Sequence, residues 1–154
     1  MRASRVFSVL AAVAAVGVAC KNDTTGIPAG LEVYTATLNG ANEAPTPVTT
    51  TATGTAIVTV LGSQVSWKVD ILTSIDSIIA GHIHRHAADS VAGNVQVNFA
   101  PTPTGPGFTG TATVGSQAVV ADSILALMRA GRAYVNVHTK AHPGGEIRGT
   151  LVKQ

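Results

Sequence analysis

The feature that most constrains the fold is a series of short segments in which apolar and polar residues alternate. From Val65 to Ile71, for example, an apolar side chain falls at every second position, which is the spacing of one face of a β-strand. Turn residues such as Asn39-Gly40 and Gly62-Ser63 separate the segments. The predicted strands are residues 31–38, 53–61, 65–72, 78–84, 94–99, 107–114, 134–139 and 146–152.

About eight short strands with turns between them predict an all-β protein, an antiparallel β-sandwich of Greek-key type. One segment departs from this pattern. Residues 122–131 contain an apolar stripe with helical spacing, and Gly131 stands where a helix would end. We therefore expect one short helix near residues 122–131, packed over one end of the sandwich.

The amino-terminal segment has the pattern of an export signal. Arg2 and Arg5 precede an apolar run that is too short to span a membrane, which predicts a signal peptide over residues 1–19. Cys20, the one cysteine in the chain, follows directly, as in bacterial lipoproteins whose cysteine is lipidated. We expect residues 20–30 to form an anchor and linker and residues 31–152 to form the domain. The alternative is ordinary secretion with a free thiol.

These features predict a protein exported to the bacterial cell envelope, held to a membrane through a lipid on Cys20 and facing the periplasm or the exterior. The charge balance bears on its partners. The chain has 10 basic and 8 acidic residues; because Arg2 and Arg5 lie in the predicted signal, the remainder is formally neutral. A neutral domain gives no basis for binding nucleic acid, so an unknown protein or envelope ligand is the expected partner.

Histidines are the candidate site residues. His82 and His84 alternate in a predicted strand, so both side chains project from one face. Two imidazoles with this spacing can bind one metal ion, and a third from a neighbouring strand completes a site for copper or zinc. The run His82-Ile83-His84 is echoed by residues 136–138, so His138 is the expected third ligand. The alternative is that these histidines hydrogen-bond Glu43, Asn136 or backbone carbonyls and order the loops.

Four polar residues are expected to support the histidines. Asn136 shares a predicted strand face with His138, and Glu146 and Arg148 share one face of the last strand. If the two strands form a hairpin, Glu146 and Arg148 can hydrogen-bond across to Asn136 or His138. Glu43 is predicted either to be a carboxylate ligand or to fix the tautomer of a histidine. A solvated Glu146 and Arg148 pair on an outer face is the alternative.

Several motifs resemble the CHRD domain, which is named after chordin and also occurs as a single domain in bacterial extracytoplasmic proteins. They are YVNVHT and PGGEIRG near the end of the chain, LNGANEAPTPVTTTATGTA from Leu38, GHIHRHAAD around His82, and ADSILALMRAG before Tyr134. Glu43 stands in the family's Glu-x-Pro signature. The resemblance runs from about Leu31 to Val152 and implies the fold, while it carries no activity to transfer.

A shorter resemblance connects HIH and YVNVHTKA to the two copper-ligand strands of Cu/Zn superoxide dismutases, which are also β-sandwiches. Arg148 stands at a position similar to their substrate-guiding arginine. The chain lacks their disulfide cysteines and their long zinc-binding loop, so dismutase activity is not expected.

The sequence therefore predicts a binding or structural role, and no residue is assigned as catalytic. It has no Gly-x-Ser-x-Gly nucleophile motif and few carboxylates. The alternative function is a copper or zinc site at His82, His84 and His138 that serves metal sequestration or redox chemistry.

Overall fold

A computed structural model describes residues 28–86, 93–100, 105–114, 116, 119 and 123–154. Cys20 and the predicted signal peptide, residues 1–19, lie outside these residues, as does most of the predicted linker. The described residues form nine strands and one short α-helix, with a 3₁₀ turn at Gly40–Asn42. The elements are β1 (Leu31–Asn39), β2 (Thr53–Leu61), β3 (Gln64–Ile71), β4 (Ile78–Arg85), β5 (Val95–Asn98), β6 (Gly107–Thr113), α1 (Ile124–Arg129), β7 (Ala133–Thr139), β8 (Ile147–Thr150) and β9 (Val152–Lys153).

The strands form one antiparallel sheet in the order β5-β4-β7-β8-β1-β2-β3-β6, and β9 also pairs with β1. The two ends of this sheet approach each other. Val97 of β5 forms a bridge with Val119, which follows β6. Across the interior, the ring of Trp67 stacks on Phe99 at a centroid distance of 4.8 Å. The sheet therefore curls into two facing layers, and the predicted all-β sandwich is confirmed.

The core is formed by the apolar side chains that alternate with polar ones along the strands. In β1, β2 and β3 the buried apolar side chains occur at every second position, so each strand turns one face to the interior. Tyr34, Val58 and Val65 are fully buried members of this core. Two residues of α1, Ile124 and Met128, complete it at one end.

The predicted boundaries agree with the observed strands to within about two residues, except at the end of the chain. There the predicted last strand is divided into β8 and β9 at Leu151, whose N–H donates to the carbonyl of Ala133. The helix occupies Ile124–Arg129, within the predicted range, and Gly131 follows it at φ +66°; residue 122 lies outside the described part. Within the described residues, no helix is both long and apolar enough to cross a membrane.

Strand β7 lies between β4 and β8, and every one of its residues is buried. Val135 and Val137 point into the core, while the opposite face carries polar and aromatic side chains. On that outer face His82, Asn136 and Arg148 are paired across the three strands. The segments that precede β2 and β8 cover this face, because Glu43 and Thr50 hydrogen-bond to residues on and beside it. The candidate site lies under this cover.

Candidate metal centre

Three histidines converge on the outer face of β4 and β7. His82 and His84 stand two residues apart on β4, with Ile83 directed into the core between them. His138 comes from β7, the neighbouring strand. One ring nitrogen from each histidine lies within 4.8 Å of the other two, and His82 Nδ1 is 3.0 Å from His138 Nε2. The structure thus brings together the three residues that the sequence nominated as ligands.

Backbone carbonyls fix the orientation of two of these rings. His138 Nδ1 lies 3.0 Å from the carbonyl oxygen of Pro143, and His84 Nδ1 lies 2.8 Å from that of Gly93. Since a carbonyl oxygen can only accept, both Nδ1 atoms carry the proton and both Nε2 atoms present a lone pair. His84 Nε2 is buried and has no hydrogen-bond partner among the described residues.

The electrostatic environment keeps the imidazoles neutral. Burial, together with the neighbouring His138 and His84, lowers the pKa of His82 to about 4. Burial also lowers the pKa of His84 to about 4, against the opposing effect of its hydrogen bond to Gly93. The pKa of His138 is lowered by burial as well, against the opposing effect of the Pro143 carbonyl. Neutral imidazole is the form that binds metal ions, so the rings are ready to do so at pH 7.

The spacing can be compared with what a metal ion requires. Zinc binds imidazole nitrogen at about 2.0–2.1 Å, so two nitrogens on one ion lie at most about 4.2 Å apart. The His82 to His138 separation of 3.0 Å satisfies this limit. The nitrogens of a tetrahedral site lie about 3.3–3.4 Å apart, so the widest separation, up to 4.8 Å, requires ring movements of about 1.5 Å in all. His82 is half-buried whereas His84 and His138 are buried, which leaves one side of the cluster open to solvent.

Residues 34–151 match the family description of the CHRD domain. The chain belongs to the CHRD domain family. The matched region includes His82, His84 and His138 together with all four predicted supporting residues. No curated protein and no solved structure gives a significant match to the chain.

Tyr134 and Gly93 of this CHRD domain support His84, and neither was among the predicted site residues. The Tyr134 ring stacks on His84 at 5.0 Å with an interplanar angle of 8°. The Gly93 N–H donates to the Tyr134 hydroxyl at 3.0 Å, while its carbonyl accepts from His84. Arg148 reaches the same ring from β8, with its guanidinium carbon 3.6 Å from the ring centroid. An aromatic residue directly opposite a histidine on a paired strand is the signal that could have identified Tyr134.

The supporting residues divide into two groups. Asn136 Nδ2 donates to Glu43 Oε2 at 3.3 Å, so Glu43 contacts Asn136. The tautomers of His84 and His138 are set by backbone carbonyls. The side-chain partners of Glu146 are two threonines. Its two carboxylate oxygens accept from Thr50 Oγ1 at 2.7 Å and from Thr139 Oγ1 at 2.6 Å. Glu146 thereby ties the covering segment to the end of β7.

Arg148 and His86 form the rim of the cluster. Arg148 Nη2 donates to His86 Nδ1 at 3.2 Å, which leaves the His86 proton on Nε2, 3.2 Å from Thr150 Oγ1. Burial lowers the pKa of His86, and the charges of Arg148 and Arg132 lower it further. Arg148 therefore extends from β8 toward both Tyr134 and His86.

Proposed function

We propose that this CHRD domain binds one copper or zinc ion through His82 Nδ1, His84 Nε2 and His138 Nε2. The observation that carries the proposal is the buried Nε2 lone pair of His84, which faces the other two rings without a partner among the described residues. A buried acceptor without a partner costs about 1–3 kcal/mol. A metal ion in the cluster would remove this cost.

The alternative is a purely structural hydrogen-bond network. Among the three histidines, such a network contains only the contact between His82 and His138. In such a network His82 Nδ1 donates to His138 Nε2, since the His138 proton is on Nδ1. His84 Nε2 then has no donor from within the cluster. A metal ion at this position would be held by His82, His84 and His138, with the His82 proton on Nε2 so that each ring could offer a lone pair.

The donor set determines which metals are suitable. The cluster consists of imidazoles, with no carboxylate or thiolate among its three members. Imidazole suits copper and zinc, while calcium and magnesium require oxygen ligands. With three protein ligands and one open side, a bound ion would keep a position for water or a small ligand.

Metal content tests this function. The purified protein is stripped with a chelator, reloaded with Cu²⁺, Zn²⁺ or Mg²⁺ separately, and freed of excess ion. We expect about one equivalent of copper or zinc and no magnesium, together with a rise in thermal stability on loading, because a ligand that binds only the folded state stabilises it. Less than about a tenth of an equivalent of both copper and zinc would contradict the proposal.

We further propose that the domain acts in the bacterial cell envelope, anchored by a lipid on Cys20. The support is the order of basic residues, short apolar run and cysteine at the start of the chain. About ten residues separate Cys20 from β1, so the domain would stand close to the membrane surface. The role we propose there is to bind metal ions.

Replacing Cys20 with alanine tests the anchor. We expect the wild-type protein to sediment with the membrane fraction and the C20A variant to appear in the soluble exported fraction, because the thioether link to the lipid cannot form. Alkaline carbonate washing separates a lipid anchor from peripheral attachment. The same distribution for both proteins would argue against lipidation at this position.

A further inference from the structure

Glu43 and Asn136 form a buried polar pair beside the histidine cluster. Glu43 is 7% exposed and Asn136 is 4% exposed. Asn136 Nδ2 donates to Glu43 Oε2 at 3.3 Å, so one oxygen of the carboxyl group and one atom of the amide are already paired. Asn136 lies directly opposite His82 on the paired strands.

The two remaining atoms of this pair are both acceptors without partners. Glu43 Oε1 and Asn136 Oδ1 are buried and have no hydrogen-bond partner among the described residues. Both atoms lie beside Gly145: a Cβ built there would be 2.9 Å from Glu43 Oε1, 2.7 Å from Asn136 Oδ1 and 2.5 Å from Asn136 Nδ2. A proton on Glu43 Oε1 that donates to Asn136 Oδ1 would give both buried acceptors a partner.

We propose that a proton on Glu43 Oε1 donates to Asn136 Oδ1, which closes a cyclic pair between a carboxylic acid and a carboxamide, and that this proton regulates the orientation of His138. With the proton in place, the Asn136 amide donates to one oxygen of Glu43 and accepts from the other. Every polar atom of the ring is then satisfied. Only the consequence for metal binding rests on the proposed function; the pair itself does not.

The surroundings of Glu43 favour the protonated acid. Burial raises its pKa to about 7, while the charge of Arg148 and the hydrogen bonds from Asn136 and the Ala44 backbone oppose this rise. His142 lines the same groove, and Glu146 is held by Thr50 and Thr139. The groove has a volume of about 330 Å³ and gives solvent protons a route to Glu43.

The turn before β8 connects this pair to the metal site. Gly145 packs against both side chains, in a backbone conformation with φ +128°. Two residues earlier, the carbonyl of Pro143 accepts from His138 Nδ1 at 3.0 Å. When Glu43 ionises, its carboxylate faces the Asn136 oxygen with no proton between them, and the repulsion moves Gly145. The Pro143 carbonyl moves with the turn, so His138 loses its fixed orientation.

Glu43→Gln tests the pair, because a glutamine amide can form the same ring with an N–H in place of the acid proton. The pKa of Glu43 is about 7 in the folded protein and about 4.5 in an exposed chain, so between these two pH values only the folded protein holds the proton. Stability from this group therefore falls as pH rises through that window. At pH 6 we expect wild-type unfolding to release about one proton more than unfolding of E43Q.

Glu146→Gln is the matched control, since Glu146 is also a buried glutamate, with oxygens that accept from hydroxyl groups. The Glu43–Asn136 pair is intact in this variant, so its proton release should likewise exceed that of E43Q. A second measurement follows the Glu43 side-chain carboxyl carbon of the wild type by ¹³C NMR across pH 4 to 9. Equal proton release from wild type and E43Q, or a carboxyl that titrates near pH 4.5, would overturn the pair.

The link to His138 has its own measurement, which needs no metal. Between pH 6 and 8.5, the ¹⁵N signals of His138 in the metal-free wild type are expected to lose the pure Nδ1–H pattern, while those of E43Q retain it. Constant signals in both proteins would overturn the link and leave the pair standing. In the metal-loaded protein, the Kd of wild type relative to E43Q should rise about 5-fold or more over the same range. If the protein bound no copper or zinc, the proposed function would fail while the NMR experiments still decided this inference.

Discussion

Replacing His84 with alanine is expected to weaken copper or zinc binding by more than about 100-fold. Loss of a residue that only orients a ligand typically costs about 10- to 100-fold in metal affinity, and His84 supplies a ligand atom itself. Its Nε2 is buried, and its Nδ1 is committed to the Gly93 carbonyl, so no other atom of the ring can substitute. Competition with a chelator of known affinity measures the effect.

His142→Ala is the control for that substitution. His142 lies in the turn after β7 but is not part of the three-histidine cluster, so its loss should leave metal affinity within about threefold of wild type. H84A should also lose the thermal stabilisation that copper or zinc gives the wild type. An H84A protein that still held one equivalent tightly would place the metal at other ligands.

Replacing Trp67 with alanine is expected to reduce the free energy of unfolding by about 3–5 kcal/mol, the usual cost of removing a buried aromatic side chain. Trp67 is 4% exposed and stacks on Phe99 from the facing layer. Gly110 also lies against the indole ring, so closely that a Cβ on this residue would clash with it. Such close packing leaves little room to refill the cavity. Urea or thermal unfolding measures the loss.

Leu72→Ala provides the comparison for Trp67, because Leu72 is 63% exposed and its truncation should change stability by less than about 0.5 kcal/mol. The folded W67A protein should still bind one equivalent of metal, since the histidines lie on β4 and β7, outside the core that Trp67 fills. A stability loss below about 1 kcal/mol would mean that the two layers are not held together at this contact.

Much of the fold was predictable because its signals are local. Alternation from Val65 to Ile71 defines β3, and the same rule places His82 and His84 on one face of β4. The likeness of residues 82–84 to residues 136–138 nominated His138, and the antiparallel pairing of β4 with β7 brings it there. Membership of the CHRD family was likewise readable from motifs that keep their order along the chain.

The partners of the supporting residues were not predictable, because their contacts join residues that are far apart in the sequence. Glu43 and Thr50 lie in a long segment whose path over β7 is set by tertiary contacts, and these decide that Glu146 contacts hydroxyl groups. The carbonyls of Gly93 and Pro143, which fix two imidazoles, belong to the backbone and leave no mark on residue identity. Pattern reasoning therefore finds the three histidines and misses the groups that orient them.

The unequal positions of β4 and β7 in the sheet imply an order in which ligands can detach. β7 is buried at all its positions between β4 and β8, and β1 lies beyond β8, whereas the outer side of β4 pairs only with the four residues of β5. Local opening of a protein starts where few contacts must break. Transient fraying of β5 and β4 would free His82 and His84 while His138 stayed in place. Exchange of a bound ion would then proceed through a one-histidine intermediate, at a rate set by this partial opening and far above the rate of global unfolding.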